Sequence, residues 1–215
     1  KNNTIADETV FISKWLADYY IEKGFNKPFH VIYNGCNTND FYPETKKELG
    51  KVINLVTHHW SDNWMKGFDI YNQLDEILEK RDDITFSYIG RYNKNYIPKN
   101  IKIIPPLYGK KLSNELRKYD IYLTAARWEA GGMHHIEGAS CGLPVLFHIE
   151  GGGINELCKN YGLHYNNIPS LLEGINKIKN LYQEYRNKIK YDFLSSKRCC
   201  EEYYNLITNM VDSNH

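Results

Sequence analysis

Between Val52 and Tyr165 short apolar runs alternate with amphipathic stretches, and no other feature of the chain narrows the possible folds as far. Such alternation is the pattern of parallel strands joined by crossover helices, so the class is α/β. The runs predict strands over 52–57, 84–89, 101–104, 121–125, 144–149 and 163–165, with helices over 68–79, 111–118, 133–141 and 154–159. Ahead of them, a strand over 9–13, a helix over 14–23 and a strand over 29–33 lead to the turn pair Asn34-Gly35. Behind them, Leu171, Leu172, Ile175, Ile178 and Leu181 recur near the helical period and predict one helix over 168–188. A second helical stretch covers 191–211.

Polar residues 36–50 interrupt the rhythm and form the candidate linker. Residues 1–43 are too few to bury a core of their own, so they read as the tail of another domain plus a crossover. Residues 44–215 read as one Rossmann-like parallel sheet flanked by helices, with a helical C-terminal extension. The chain does not begin with Met, and Lys1 is expected not to be the natural start. With 27 Lys and Arg against 26 Asp and Glu, it lacks the basic excess that nucleic-acid binding requires. Its apolar runs, such as 143–147, fall far short of the ~18 residues of a membrane span. The five cysteines, Cys36, Cys141, Cys158, Cys199 and Cys200, contain no C-x-x-C, which argues against a disulfide framework or zinc ribbon and for a reducing compartment. The expected location is the cytoplasm; peripheral membrane contact of a longer protein is compatible with it.

The chemistry concentrates in residues 127–145, RWEAGGMHHIEGASCGLPV. Glu129 follows a predicted strand, two glycines come next, and Glu137 lies in the helix after them, whose side chains lean toward its N-terminus. Both carboxylates can therefore face one crevice. The amides of Gly132, Met133 and His134 open the same helix, where unpaired N–H groups and the helix dipole favour an anion such as phosphate. Glycine lets a ligand approach the backbone closely. Two carboxylates that accept hydroxyl hydrogen bonds beside a phosphate site describe a sugar nucleotide. The competing reading, with Glu129 as a helix cap and Glu137 as a solvated acid, fits either residue alone better than it fits the pair.

Lys66-Gly67 precedes the helix over 68–79 and sets a cation against the helix dipole, which makes sense if an anion is shared there. Taken alone it reads as an exposed lysine. Gly151-Gly152-Gly153 is a second turn able to approach a ligand, or simply a tight turn. The pairs His58-His59 and His134-His135 lack metal-ligand spacing, because adjacent side chains project apart and no H-E-x-x-H is present. His134 is expected to act through its backbone amide, and His58 or His59 through a loop hydrogen bond. No G-x-S-x-G elbow and no Walker G-x-x-x-x-G-K-[ST] occurs, which removes hydrolase triads and P-loop ATPases. None of the 18 Tyr or 4 Trp is given a stacking role from sequence.

On these residues the sequence resembles the retaining nucleotide-sugar glycosyltransferases of the two-Rossmann-domain (GT-B) type, in the family numbered 4, and chiefly their C-terminal donor-binding domain. Glu129 to Glu137 matches the Glu-x7-Glu motif, followed by Gly142-Leu143-Pro144-Val145. Residues 31–35 with Phe41-Tyr42-Pro43 are similar to the crossover between the two domains, and residues 9–16 to the strand and helix before it. Lys66-Gly67, Gly90 and Gly152-Gly153 with Glu156 stand where the pattern places them.

The resemblance implies a UDP-, GDP- or ADP-sugar donor and a hexosyltransferase-like activity in carbohydrate biosynthesis. Transfer would go to a glycan, lipid or protein acceptor with retention of anomeric configuration, with neither cofactor nor protein-bound metal. It implies catalytic roles for Glu129, on hydroxyls of the donor sugar, and for Lys66, which with the amides of Gly132, Met133 and His134 after Gly131 would hold the diphosphate. Glu137 would hold the ribose, and Ile104, Pro105 and Leu107 would lie against the base; Ser61 and Gly90 complete the implied donor site. Ser61 departs from the family, which usually carries an arginine five residues before this lysine. A second cation on the diphosphate is then missing, unless a neighbouring histidine stands in. That departure supports the alternative of a non-catalytic sugar-nucleotide-binding module. A sugar-nucleotide epimerase of the same architecture fits the Glu-x7-Glu block less well.

Overall fold

In the computed structural model, which describes residues 6–44 and 48–212, the chain opens with a parallel pair, β1 (Val10–Phe11) and β2 (His30–Val31). Helix α1 (Lys14–Glu22) joins them, started by Ser13, whose Oγ accepts the Leu16 amide at 3.2 Å. Both strands are shorter than their sequence runs because β1 and β2 pair only with each other. Of the expected linker 36–50, Cys36 and Phe41 are buried, and residues 45–47 lie outside the described residues.

The regular units then give β3 (Ile53–His59), α2 (Phe68–Leu78), β4 (Ile84–Gly90), β5 (Lys102–Ile104), α3 (Gly109–Leu116) and β6 (Ile121–Thr124). They continue with α4 (His134–Ser140), β7 (Val145–His148), α5 (Asn155–Cys158) and β8 (Gly162–Tyr165). The six strands from β3 onward form one parallel sheet in the order β5-β4-β3-β6-β7-β8. Helices cover both faces, and this is why the strands read as near-continuous apolar runs. Side chains alternate between the faces: Leu55, Leu123 and Leu146 pack with α2, while Val56, Tyr122, Val145 and Phe147 pack with α3 and α4.

Two departures from the sequence reading have clear causes. First, β3 runs two residues past Thr57, with His58 opposite Ile89 and His59 opposite Gly90. The histidines are therefore buried strand residues with polar partners, which corrects the expectation that one of them serves through a loop. Second, the helix expected over 168–188 is broken at Leu181 into α6 (Ile168–Asn180) and α7 (Tyr182–Asn187). The break turns Tyr182 and Arg186 inward: Tyr182 Oη donates to the Asp120 carbonyl at 3.0 Å, and Arg186 to the carbonyls of Gly142 at 3.1 Å and Glu44 at 2.9 Å. The final stretch is likewise divided into a 3₁₀ turn (Tyr191–Leu194) and α8 (Ser196–Asp212). Between them Ser195 is extended, since Cys36 donates to Leu194 at 2.8 Å and Ser196 donates to Cys36 at 2.7 Å.

Candidate active site

Strand order reverses between β3 and β6, and in open α/β sheets the crevice beyond the carboxyl ends of such a pair is the place for a ligand. A cleft of about 350 Å³ lies there. Ser61, Lys66, Glu129, Gly132, Met133, His134 and Glu137, all singled out from the sequence, line it together with His58, His59 and Trp60.

Each wall is fixed by local structure. Lys66 ends a 3₁₀ turn (Trp64–Lys66) that Asn63 starts by accepting the Met65 amide at 2.9 Å. Gly67 then takes φ +94° and packs against the end of β6, where a Cβ would lie 2.2 Å from that of Ala125. The Arg127 amide donates to the Met65 carbonyl at 2.9 Å, and its guanidinium grips Asp69 at 2.6 and 3.2 Å. These ties bring the Lys66 ammonium onto the Glu129 carboxylate. Glu129 is held from behind as its amide donates to Gly151 at 3.0 Å, next to Trp128, a non-glycine residue at φ +53°. The turn Gly151-Gly152-Gly153 thus braces the Glu129 loop: Gly152 pairs with Glu129, and a Cβ on Gly153 would meet the Ala130 carbonyl at 2.1 Å.

Across the cleft Glu137 stands on α4, and its Oε2 lies 2.7 Å from His58 Nε2. No side chain caps the first turn of α4. The floor is polar and buried. Tyr71 Oη accepts the Ala125 amide at 3.1 Å and lies 3.1 Å from His59 Nε2 and 3.4 Å from Thr57 Oγ1. Thr124 Oγ1 likewise faces His134 Nε2 at 3.0 Å. Burial, reinforced by neighbouring histidines and Lys66, holds His59 and His134 well below the ordinary imidazole range. Burial also draws His135 down to about 3. Among the described residues no three of His, Cys, Asp or Glu group as metal ligands would, and no helix is long and apolar enough to cross a membrane.

Gly90, Ile104, Pro105, Leu107 and Gly131 stand outside the lining residues. Gly90, at φ +126°, allows β3 and β4 to close, since a Cβ would sit 2.0 Å from the His59 carbonyl oxygen. Ile104 and Leu107 pack half-buried on the core beside α3 and α4, and Pro105 is exposed. Gly131 faces the front segment: its carbonyl accepts from Asn34 at 2.7 Å. Glu156 turns the same way, accepting the amides of Lys14 at 3.0 Å and of Trp15 and the Tyr33 hydroxyl at 2.8 Å. The sequence reading missed His58 and Tyr122 as partners of the site, because nothing in the spacing links residues 79 positions apart.

A doubly wound sheet with a polar cleft at its switch point defines a Rossmann-type ligand-binding unit, and comparison with known proteins supplies the family. Residues 71–192 match the family described as Glycosyl transferases group 1, and since this is more than half of the chain, the chain belongs to that family. It is 28% identical over 204 residues to a probable sucrose-phosphate synthase of Thermosipho melanesiensis, covering 82% of this chain and 46% of that protein. The chain therefore spans about half the length of this curated relative. Among solved structures it is similar to the sucrose-phosphate synthase of Thermosynechococcus elongatus, with a TM-score of 0.75 and 15% identity over 97% of this chain and 59% of that one. It is also similar to Anabaena Alr3699/HepE in complex with UDP and glucose, with a TM-score of 0.77 and 16% identity over 96% of this chain and 64% of that one. At these identities the likeness to the solved structures is one of fold.

Proposed function

We propose that the cleft binds a nucleoside-diphosphate sugar and that residues 44–215 are the donor-binding domain of a retaining glycosyltransferase, with residues 1–43 as the tail and crossover of its other half. The observation that carries this reading is the convergence of Lys66, Glu129 and Glu137 in one cleft at the switch point. Lys66 and Glu129 are paired with each other; an entering diphosphate offers Lys66 a more highly charged partner and frees Glu129 to accept hydrogen bonds from sugar hydroxyls. As the bond from the anomeric carbon to the diphosphate oxygen breaks, negative charge grows on that oxygen. Lys66 and the uncapped amides at the start of α4 stabilise it. Among the described residues Lys66 is the only lysine or arginine lining the cleft, with the Ser61 hydroxyl at the position of the family's arginine.

Calorimetric titration with UDP, GDP and ADP and their sugars tests the reading. One nucleoside diphosphate should bind, and Lys66→Ala should weaken it by roughly tenfold or more through the lost charge-assisted contacts. Absence of binding by all three would overturn the proposal, and binding without turnover by a full-length protein would favour the non-catalytic module suggested by Ser61.

A further inference from the structure

The proposed function uses Glu137 and leaves His58 without a role. The His58 side chain is only 4% exposed, yet it spends its buried position on a carboxylate that lines the cleft and is 21% exposed. Its Nδ1 faces Tyr122 Oη at 3.0 Å, and that same oxygen accepts the His58 amide at 3.1 Å. The Tyr122 hydroxyl, which also has the Thr57 side chain as a partner, lies 3.0 Å from Nδ1 and 3.3 Å from the His58 carbonyl, and of these two contacts the shorter is to the ring. With Nδ1 accepting, the ring proton sits on Nε2 and is donated to Glu137 Oε2. Tyr122 is itself clamped under α4, where Gly138 leaves no room for a Cβ, which would lie 2.3 Å from the tyrosine ring. The edge-on contact of Tyr122 with the His58 ring, centroids 5.5 Å apart at 80°, fixes the imidazole plane as well.

We infer that Tyr122 and His58 form a relay that positions Glu137, with His58 occupying Oε2 so that Oε1 is the oxygen presented to a ligand hydroxyl. The relay sets the rotamer of a flexible side chain before the ligand arrives, which removes an ordering cost from binding. It also makes hydroxyl recognition at this carboxylate depend on a residue that acts through Glu137. The inference rests on the reading that Glu137 accepts a ribose hydroxyl, and it names His58 and Tyr122 as positioning residues for that site.

The test compares affinities for a nucleoside diphosphate, whichever of UDP, GDP and ADP the wild type binds, with those for its 2′,3′-dideoxy analogue. His58→Phe keeps the ring and removes the donor. It should lose about tenfold or more for the ribonucleotide, and under about twofold for the dideoxy analogue. His58→Gln places an amide donor at similar reach and should restore most of the discrimination. Tyr122→Phe removes the group that fixes the tautomer and should reduce the discrimination while leaving the ring in place. Equal loss for both ligands, or no loss for either, in His58→Phe overturns the relay while the donor reading stands; should that variant unfold, the same comparison in Tyr122→Phe decides. A wild type that binds none of the three nucleotides overturns the donor reading and the relay with it.

Discussion

Glu129 and Glu137 share a cleft but answer to different partners, Lys66 on one wall and His58 on the other. Their roles should separate accordingly. Glu137→Ala is expected to weaken a bare nucleoside diphosphate by ~1 to 3 kcal/mol through lost hydrogen bonds to a charged group, while Glu129→Ala affects mainly the intact sugar nucleotide. Titration of both ligands into both variants checks this, and equal losses throughout would contradict it. Beneath the carboxylates, His59, His134 and His135 are buried with depressed pKa values. In the unfolded chain each takes up a proton near pH 6.5, whereas in the folded chain each stays neutral, His135 until about 3. The unfolded state thus binds more protons as pH falls below about 6.5, and stability declines by at most about 1.4 kcal/mol per pH unit for each histidine. Thermal unfolding followed from pH 8 to 5 should show a falling midpoint below pH 6.5, with a shallower slope in His135→Gln. A midpoint that does not move would show that these imidazoles are not held neutral.

Turns between the elements set the cleft's dimensions as firmly as the strands do, and two glycines isolate the effect. Gly24 and Gly67 have the same φ of +94°, but a Cβ on Gly24 would meet nothing within 4 Å, while one on Gly67 would meet Ala125 at 2.2 Å. Gly24→Ala should cost about 1 to 2 kcal/mol for its conformation alone. Gly67→Ala adds overpacking of about 1 to 3 kcal/mol and displaces Lys66, so it should also weaken nucleotide binding. Chemical denaturation of the two variants, with a nucleotide titration of each, separates the effects, and equal behaviour would show that the turn yields without consequence. The same scale explains what the sequence could and could not disclose. Strands and helices are legible from their periods, Glu129 from its place after a predicted strand, Glu137 from its place in the helix after the paired glycines, and Lys66 from its place before Gly67 at a predicted helix start. The break at Leu181 was not legible, because the apolar repeat runs through it and only tertiary partners for Tyr182 and Arg186 turn the chain. His58 was hidden for a related reason: a histidine looks like a loop residue until a buried tyrosine and a carboxylate from another element satisfy it.

At the scale of the whole chain, the front segment is tied down by polar contacts at the rim of the cleft's supporting loops. Ser13 donates to Ala130 at 2.6 Å, Asn34 to Gly131, and Glu156 receives two α1 amides and Tyr33. Through the first two of these contacts the segment meets the two residues that follow Glu129. The chain covers 46% of the sucrose-phosphate synthase relative and 59 to 64% of the two solved structures compared, so part of each has no counterpart in residues 1–215; in the function proposed above, that part holds the acceptor. Aligning donor and acceptor can supply ~7 to 11 kcal/mol of barrier lowering, and without the opposing wall that contribution is lost. Residues 1–215 by themselves should therefore fold and bind a nucleoside diphosphate while transferring no sugar, until a chain carrying the other half is added. Assaying these residues, with and without that half, using one labelled sugar nucleotide and a panel of glycan acceptors measures the difference. Turnover by residues 1–215 equal to that of the two-part protein would place the acceptor site, and the wall that excludes water from it, within the structure described above.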